Sequence, residues 1–225
     1  MNEQPEAGLA HIANELRRRG RRFALVGGMA VSIRGESRTT QDVDVVVAVT
    51  GDADLEALVA DLREAGYRPF TAPEQMIHDR LATVRLESPA HVVVDLLAAS
   101  CGIEQEIVAA ASPVEIEGVG PIPVARAEDL LAMKILSAAP GRARDWDDAR
   151  GLLEIHPGLD LALVRARLVL ITARGYARKQ DLLAKLDKLL EFNHRLSGAS
   201  PPAVPSPPGR PAAPAPPGRL LCRRR

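Results

Sequence analysis

Aromatic residues are scarce, with one Trp, two Tyr and three Phe in 225 residues. So few stacking platforms argue against a chain built mainly to hold single-stranded nucleic acid. Cysteine is scarcer still. Cys101 and Cys222 stand far apart, without metal-ligand spacing and too few for a disulfide framework, so a reducing compartment is expected. A charge surplus is missing too: 29 Lys and Arg balance 29 Asp and Glu, so no basic excess announces a nucleic-acid partner. No apolar run approaches the roughly 18 residues that span a bilayer. Arg165 and Arg167 interrupt the longest candidate, LALVRARLVLITA. The leading stretch MNEQPEAGLAHIANELRRRG has no apolar centre of the kind a signal peptide needs. Together these absences predict a soluble, cytoplasmic protein with no membrane partner. Neither Ser32 nor Ser37 sits in a G-x-S-x-G elbow, which removes that hydrolase class. No G-x-x-x-x-G-K-[ST] loop occurs either, and the five histidines are scattered without ligand spacing.

The balanced charge hides an asymmetry. Residues 198–225 hold five arginines, no acid and nine of the 18 prolines, which leaves 24 basic against 29 acidic residues, a net −5, in 1–197. A stretch so rich in proline and so poor in apolar residues is predicted to be a disordered or polyproline-like tail. The acidic body divides by pattern. RFALVGG (22–28) and QDVDVVVAV (41–49) read as strands, and DADLEALVADLREAG (52–66) as an amphipathic helix. LATVRLE (81–87) and HVVVDLL (91–97), separated by Ser-Pro-Ala, predict a hairpin. A short helix over 102–111 and a strand pair near 113–124 follow. After Pro123 four helical segments run to Leu196, broken at Pro140-Gly141 and Pro157-Gly158. The expected layout is a mixed α/β core over 1–124, a helical subdomain over 125–197 and the tail from 198 to 225.

The chemistry concentrates in LVGGMA (25–30) and RTTQDVDV (38–45). Asp42 and Asp44, two apart on an expected strand, project from one face while Val43 and Val45 enter the core. Adjacent carboxylates repel and lose hydration unless a cation neutralises them. That pattern suits Mg²⁺, which takes carboxylate oxygens together with substrate phosphates. Asp95, alone among apolar residues in HVVVDLL, also demands a partner. If its strand neighbours 41–49, three carboxylates converge, enough to hold two Mg²⁺ ions about 4 Å apart. Backbone or Arg85 could satisfy Asp95 instead. Gly27-Gly28, between strand and helix, lets backbone N–H groups approach a phosphate.

These residues resemble the nucleotidyltransferase superfamily of DNA polymerase β type, in which Gly-Gly or Gly-Ser precedes an Asp-hydrophobic-Asp pair. More narrowly, GG-x-A followed by R-x-T-x-D-x-D, and a lysine followed by Arg-Asp-x-x-Asp in AEDLLAMKILSAAPGRARDWDDARGLL, are similar to the AbiEii/AbiGii toxin-like nucleotidyltransferases. The similarity covers roughly 22–155. It implies a small mixed β-sheet core with flanking helices, an α/β (α+β) fold. It implies an enzyme moving a nucleoside monophosphate from an NTP to an acceptor hydroxyl, using Mg²⁺. Asp42, Asp44 and Asp95 would hold the metals, with Asp95 activating the acceptor. Gly27, Gly28, Arg38, Thr40 and Lys134 would bind the nucleotide. Lys134 has the plainer alternative of snorkelling from an apolar helix face, and Asp145, Asp147 and Asp148 that of favouring a helix dipole. The implied acceptor is RNA such as tRNA, and the implied partner a cognate antitoxin. An antibiotic-modifying enzyme with a small acceptor, or a non-catalytic nucleotide-sensing module, are the other readings; an acidic body suits a cationic drug better than RNA.

Overall fold

The computed structural model describes residues 5–35, 40–70, 76–77 and 80–196. The tail, with Cys222, and Arg38 lie outside the described residues.

The chain opens with α1 (Pro5–Arg18), which presents Leu9, Ile12, Ala13 and Leu16 to the core at helical spacing. Pro at the first helical position and Arg17 and Arg18 in the last turn suit the two ends. The periodicity was there to be read, but the stretch carries no expectation beyond the missing signal peptide. Then come β1 (Phe23–Val26), α2 (Gly27–Arg34), β2 (Val43–Val47) and α3 (Asp52–Glu64). The short pairings β3 (Arg68–Pro69), β4 (Met76–Ile77) and β5 (Arg80–Leu81) precede the expected hairpin, β6 (Thr83–Glu87) and β7 (Val93–Leu97). After α4 (Glu104–Ala110), the pair β8 (Ser112–Ile116) and β9 (Gly120–Val124) ends the strands. Everything later is helical: α5 (Ala127–Ser137), α6 (Ala143–Ile155), α7 (Leu161–Ala173) and α8 (Leu182–Leu196).

Seven strands form one mixed sheet in the order β3-β6-β7-β2-β1-β9-β8, and β4 with β5 forms a separate ribbon. β2 is central, antiparallel to β1 and parallel to β7, and its valines are fully buried. That burial is why the run reads VVV rather than alternating. Asp42 departs from expectation. The strand begins at Val43, so Asp42 sits in the bend just before it instead of on the ladder.

Buried apolar residues of the sheet and of the late helices form one continuous cluster, from Leu9 through Val46 and Leu131 to Leu189. Helix α5 is its axis, packing on α2, α6, α7 and α8. Two charged contacts hold the helices in register. Arg167 on α7 donates to Asp129 on α5 at 2.6 Å, with Asp129 fully buried. Lys185 on α8 caps the last turn of α5 by donating to the carbonyls of Ile135 and Ala138. Cys101 is buried and its thiol is pushed well above its usual range by desolvation, which makes it inert. No described helix is long and apolar enough to cross a membrane.

Candidate active site

Register brings the chemistry together. Val26 at the end of β1 stands opposite Asp44 on β2, Asp44 opposite Asp95 on β7, and Asp95 opposite Arg85 on β6. Partners across neighbouring strands carry their side chains on one face. Asp44, Asp95 and Arg85 therefore form a row across the sheet, which meets the condition that the Asp95 strand neighbour that of Asp44. Arg85 grips Asp95 with both arms of its guanidinium, Nε to Oδ1 at 2.8 Å and Nη2 to Oδ2 at 2.7 Å. The same Nη2 lies 3.5 Å from Oδ2 of Asp42. One arginine thus spans two of the three acids, and its own pKa is driven further upward chiefly by the bond to Asp95.

Among the described residues no arginine pairs with Asp44. Burial, then the charge of Asp95, push its carboxyl from the ordinary 3.8 up to about 6; Lys134 and the Gly28 N–H pull the other way. The Gly-Gly turn is shaped around this group. Gly27 takes a left-handed φ of +65°, and a Cβ there would fall onto the Asp44 carboxylate. Gly28, opening α2, donates its N–H to Asp44. Val26 supplies no side-chain cap to α2, and the Asp44 carboxylate takes the Gly28 amide instead.

Lys134 on α5 is clamped rather than snorkelling. Its Nζ lies 2.9 Å from Asp145 Oδ1 and 2.8 Å from Asp148 Oδ2, both on α6 and both buried. It remains near enough for its charge to act on Asp44. The Arg-Asp-x-x-Asp pair is therefore a brace for the lysine. Asp147, between them, is exposed.

A cleft of about 780 Å³ opens onto Asp44, Asp95 and Arg85. Arg63 on α3 and Phe70, just after β3, line it on one side, and Arg142 and Arg178 from the helical side. Gly27, Gly28 and Lys134 are not among its walls; they reach it through Asp44.

The family model for the nucleotidyl transferase AbiEii toxin of type IV toxin–antitoxin systems matches residues 13–206. The chain belongs to the AbiEii family. It is accordingly a nucleotidyltransferase. Two solved structures share the fold. An antigenic nucleotidyltransferase-like protein from Paracoccidioides brasiliensis superposes with a TM-score of 0.55 at 17% identity, covering 88% of this chain and 92% of that one. The antibiotic-resistance factor ANT(2'')-Ia does so with a TM-score of 0.50 at 16% identity, covering 87% and 100%. No curated protein matches the sequence.

Within this AbiEii-family chain, Asp42, Asp44 and Asp95 come together, with Gly27, Gly28 and Lys134 around Asp44. Thr40 turns its hydroxyl onto the Asp42 carbonyl at 3.4 Å, bracing the loop. Arg38 lies outside the described residues. Among the described residues no three His, Cys, Asp or Glu side chains form a ready-made metal cluster. Arg85 is seated between Asp95 and Asp42. The donor set nonetheless fits a hard divalent cation: only carboxylate oxygens, with burial and Asp95 disfavouring the Asp44 charge more than Lys134 and the Gly28 N–H favour it. Arg85 pairs with Asp95, the alternative partner the sequence offered, and a hairpin symmetric about Ala90 sets the two opposite. The other arginines of the cleft were missed. Arg63, Arg142 and Arg178 carried no such signal, since their convergence depends on how the late helices pack.

Proposed function

We propose that this nucleotidyltransferase moves a nucleoside monophosphate from an NTP to a hydroxyl of RNA, in a divalent-cation-dependent reaction, as the toxin of a toxin–antitoxin pair. The observation that carries the reading is the row Asp44–Asp95–Arg85, with Asp42 at its edge and the Asp44 carboxyl raised to about 6. Bound divalent cations would supply the positive charge that offsets the triphosphate and lowers the pKa of the attacking hydroxyl. Asp42, Asp44 and Asp95 would hold them. Asp95, once released by Arg85, would take the hydroxyl proton as the oxygen attacks the α-phosphorus. The bond from that phosphorus to the pyrophosphate oxygen breaks, and pyrophosphate leaves. The amides at Gly27 and Gly28 suit a phosphate held at the start of α2. Lys134, fixed by its two aspartates, keeps positive charge beside Asp44. Positioning and fixed charge supply most of such catalysis.

The cleft favours RNA over a cationic drug. The body as a whole is acidic, but Arg63, Arg85, Arg142 and Arg178 face Asp44, Asp95 and Glu56 in the walls. Four cations against three acids leave these walls one positive charge in excess, and salt screens exposed charges lying beyond about 8 Å. All three acids at one place likewise favour an enzyme over a nucleotide-sensing module. The test is transfer of label from an NTP to total RNA in Mg²⁺, with an Asp42→Ala/Asp44→Ala variant beside it. Label entering RNA from α-labelled but not γ-labelled NTP, in the wild type alone, is the expected result. Label on an aminoglycoside or lincosamide instead, with none in RNA, would replace the acceptor. Growth arrest on induction, relieved by the double variant, tests the toxin role.

A further inference from the structure

A second groove, of about 570 Å³, lies between α6 and α8 beside the α5–α6 turn. It shares Arg142 with the catalytic cleft, so the two are neighbours along one surface. Two of the chain's six aromatic residues meet there: Trp146 from α6, partly buried, and Phe192 from α8, 42% exposed. Among the described residues the one ring–ring contact is His11 with Tyr67, so these two rings do not stack on each other. Around them stand Arg142, Lys185, Lys188 and Arg195 against a single acid, Glu191.

The cations differ in how far they are already engaged. Lys185 is spent on capping α5, with a further bond to Gln180 at 2.7 Å. Arg142 gives its Nε to Asp145 at 2.7 Å, but its side chain is 60% exposed. Arg195 makes only a loose pair with Glu191 at 3.6 Å, both widely exposed, a contact worth little in water. Lys188 is exposed and has no ion-pair partner among the described residues. Exposed aromatic faces interleaved with unspent cations suit unpaired bases joined by phosphates, since every base has a stacking face and every link a charge.

Resting on the reading above that RNA is the acceptor, we propose that this groove is a docking site for a single-stranded RNA segment. One or two bases stack at Phe192 and Trp146, and their phosphates lie on Lys188, Arg195 and the outer face of Arg142. Through Arg142 the strand is led towards the cleft that holds Asp44 and Asp95. The acceptor is thereby anchored beyond the reacting hydroxyl by contacts indifferent to sequence.

Trp146 is the chain's single tryptophan, which makes it the reporter. The experiment titrates a short single-stranded oligoribonucleotide into the full chain and follows tryptophan fluorescence and anisotropy of the labelled RNA. Binding of a fluorescent NTP analogue in Mg²⁺ is measured in parallel. Saturable quenching is expected for the wild type. Phe192→Ala should weaken RNA binding about tenfold, as expected for loss of one stacked base. Lys188→Glu/Arg195→Glu should flatten the slope of log affinity against log salt by about 1.4, the value for two lost phosphate contacts on a single strand. Neither variant should change NTP binding. RNA binding that leaves Trp146 unquenched and is indifferent to all three substitutions overturns the proposal, even where NTP binding stands. Absence of RNA binding overturns it too. Sedimentation that changes with Phe192→Ala, with no RNA-dependent quench, would place a second copy of the chain in the groove and also overturns it. Quenching by RNA in a chain that binds no NTP would support the groove while refuting the catalytic reading.

Discussion

Replacing Asp44 with Asn should stabilise the protein at neutral pH. The substitution keeps the shape of the side chain and an oxygen for the Gly28 N–H, but removes a charge that burial and Asp95 disfavour. The native carboxyl holds its proton up to about pH 6, against the ordinary 3.8. Between those values the folded chain carries more proton than the unfolded one, so stability falls as pH rises, and above about pH 6 the loss is complete. At about 1.4 kcal/mol per pH unit the full loss is about 3 kcal/mol, reduced to about 2 kcal/mol by the side chain's partial opening to solvent. Denaturant unfolding of both proteins in EDTA, from pH 4 to pH 8, reads this directly. The Asn variant should be more stable by about 2 kcal/mol at pH 7 to 8, or roughly 4–8 °C in Tm, with the gap closing towards pH 4. Adding Mg²⁺ at pH 7.5 should stabilise the wild type more than the variant and narrow the gap. An Asn variant that is less stable at pH 7.5, or a gap that ignores pH, would refute the reasoning.

Other substitutions test the surrounding parts. Lys134→Met removes the cation shared by Asp145 and Asp148, each under 10% exposed, and should cost about 3 kcal/mol in urea unfolding, the low end for a broken buried pair because Arg142 still meets Asp145. Lys134→Met/Asp145→Asn/Asp148→Asn should recover most of that loss, which a purely catalytic lysine would not predict. Gly27→Ala places a methyl on the Asp44 carboxylate at a left-handed φ of +65° and should cost at least about 2 kcal/mol in the same assay, with loss of NTP binding. Arg85→Gln frees Asp95 and Asp42 from their present cation, so the Mg²⁺ concentration giving half-maximal thermal stabilisation should fall.

Much of the site was legible because chemistry and pattern coincide on short strands. Asp44 and Asp95 each interrupt an otherwise apolar run, and such interruptions announce themselves. Their convergence was legible only as a condition, since no residue of β2 states which strand lies beside it. The glycines were readable as a turn but not in their use: Gly27 makes room for a carboxylate, a contact between residues 17 apart. Lys134 illustrates the opposite limit. Its helical position was plain, yet whether it snorkels or pairs depends on α5 and α6 folding back at Pro140-Gly141. Arg85 was legible from the hairpin, but the cleft's other arginines come from α3, the α5–α6 turn and the loop after α7, and only tertiary packing gathers them.

The proposed reaction needs three aspartates acting together on an NTP with a divalent cation. Single-turnover transfer from α-labelled NTP to RNA, run with the wild type and with Asp42→Asn, Asp44→Asn and Asp95→Asn separately, tests that most directly. Transfer with pyrophosphate release is expected in Mg²⁺, none in EDTA, and a fall of at least about a hundredfold for each variant in a chain that remains folded. Transfer that survives EDTA, or that any one of the three Asn variants leaves unchanged, would contradict it.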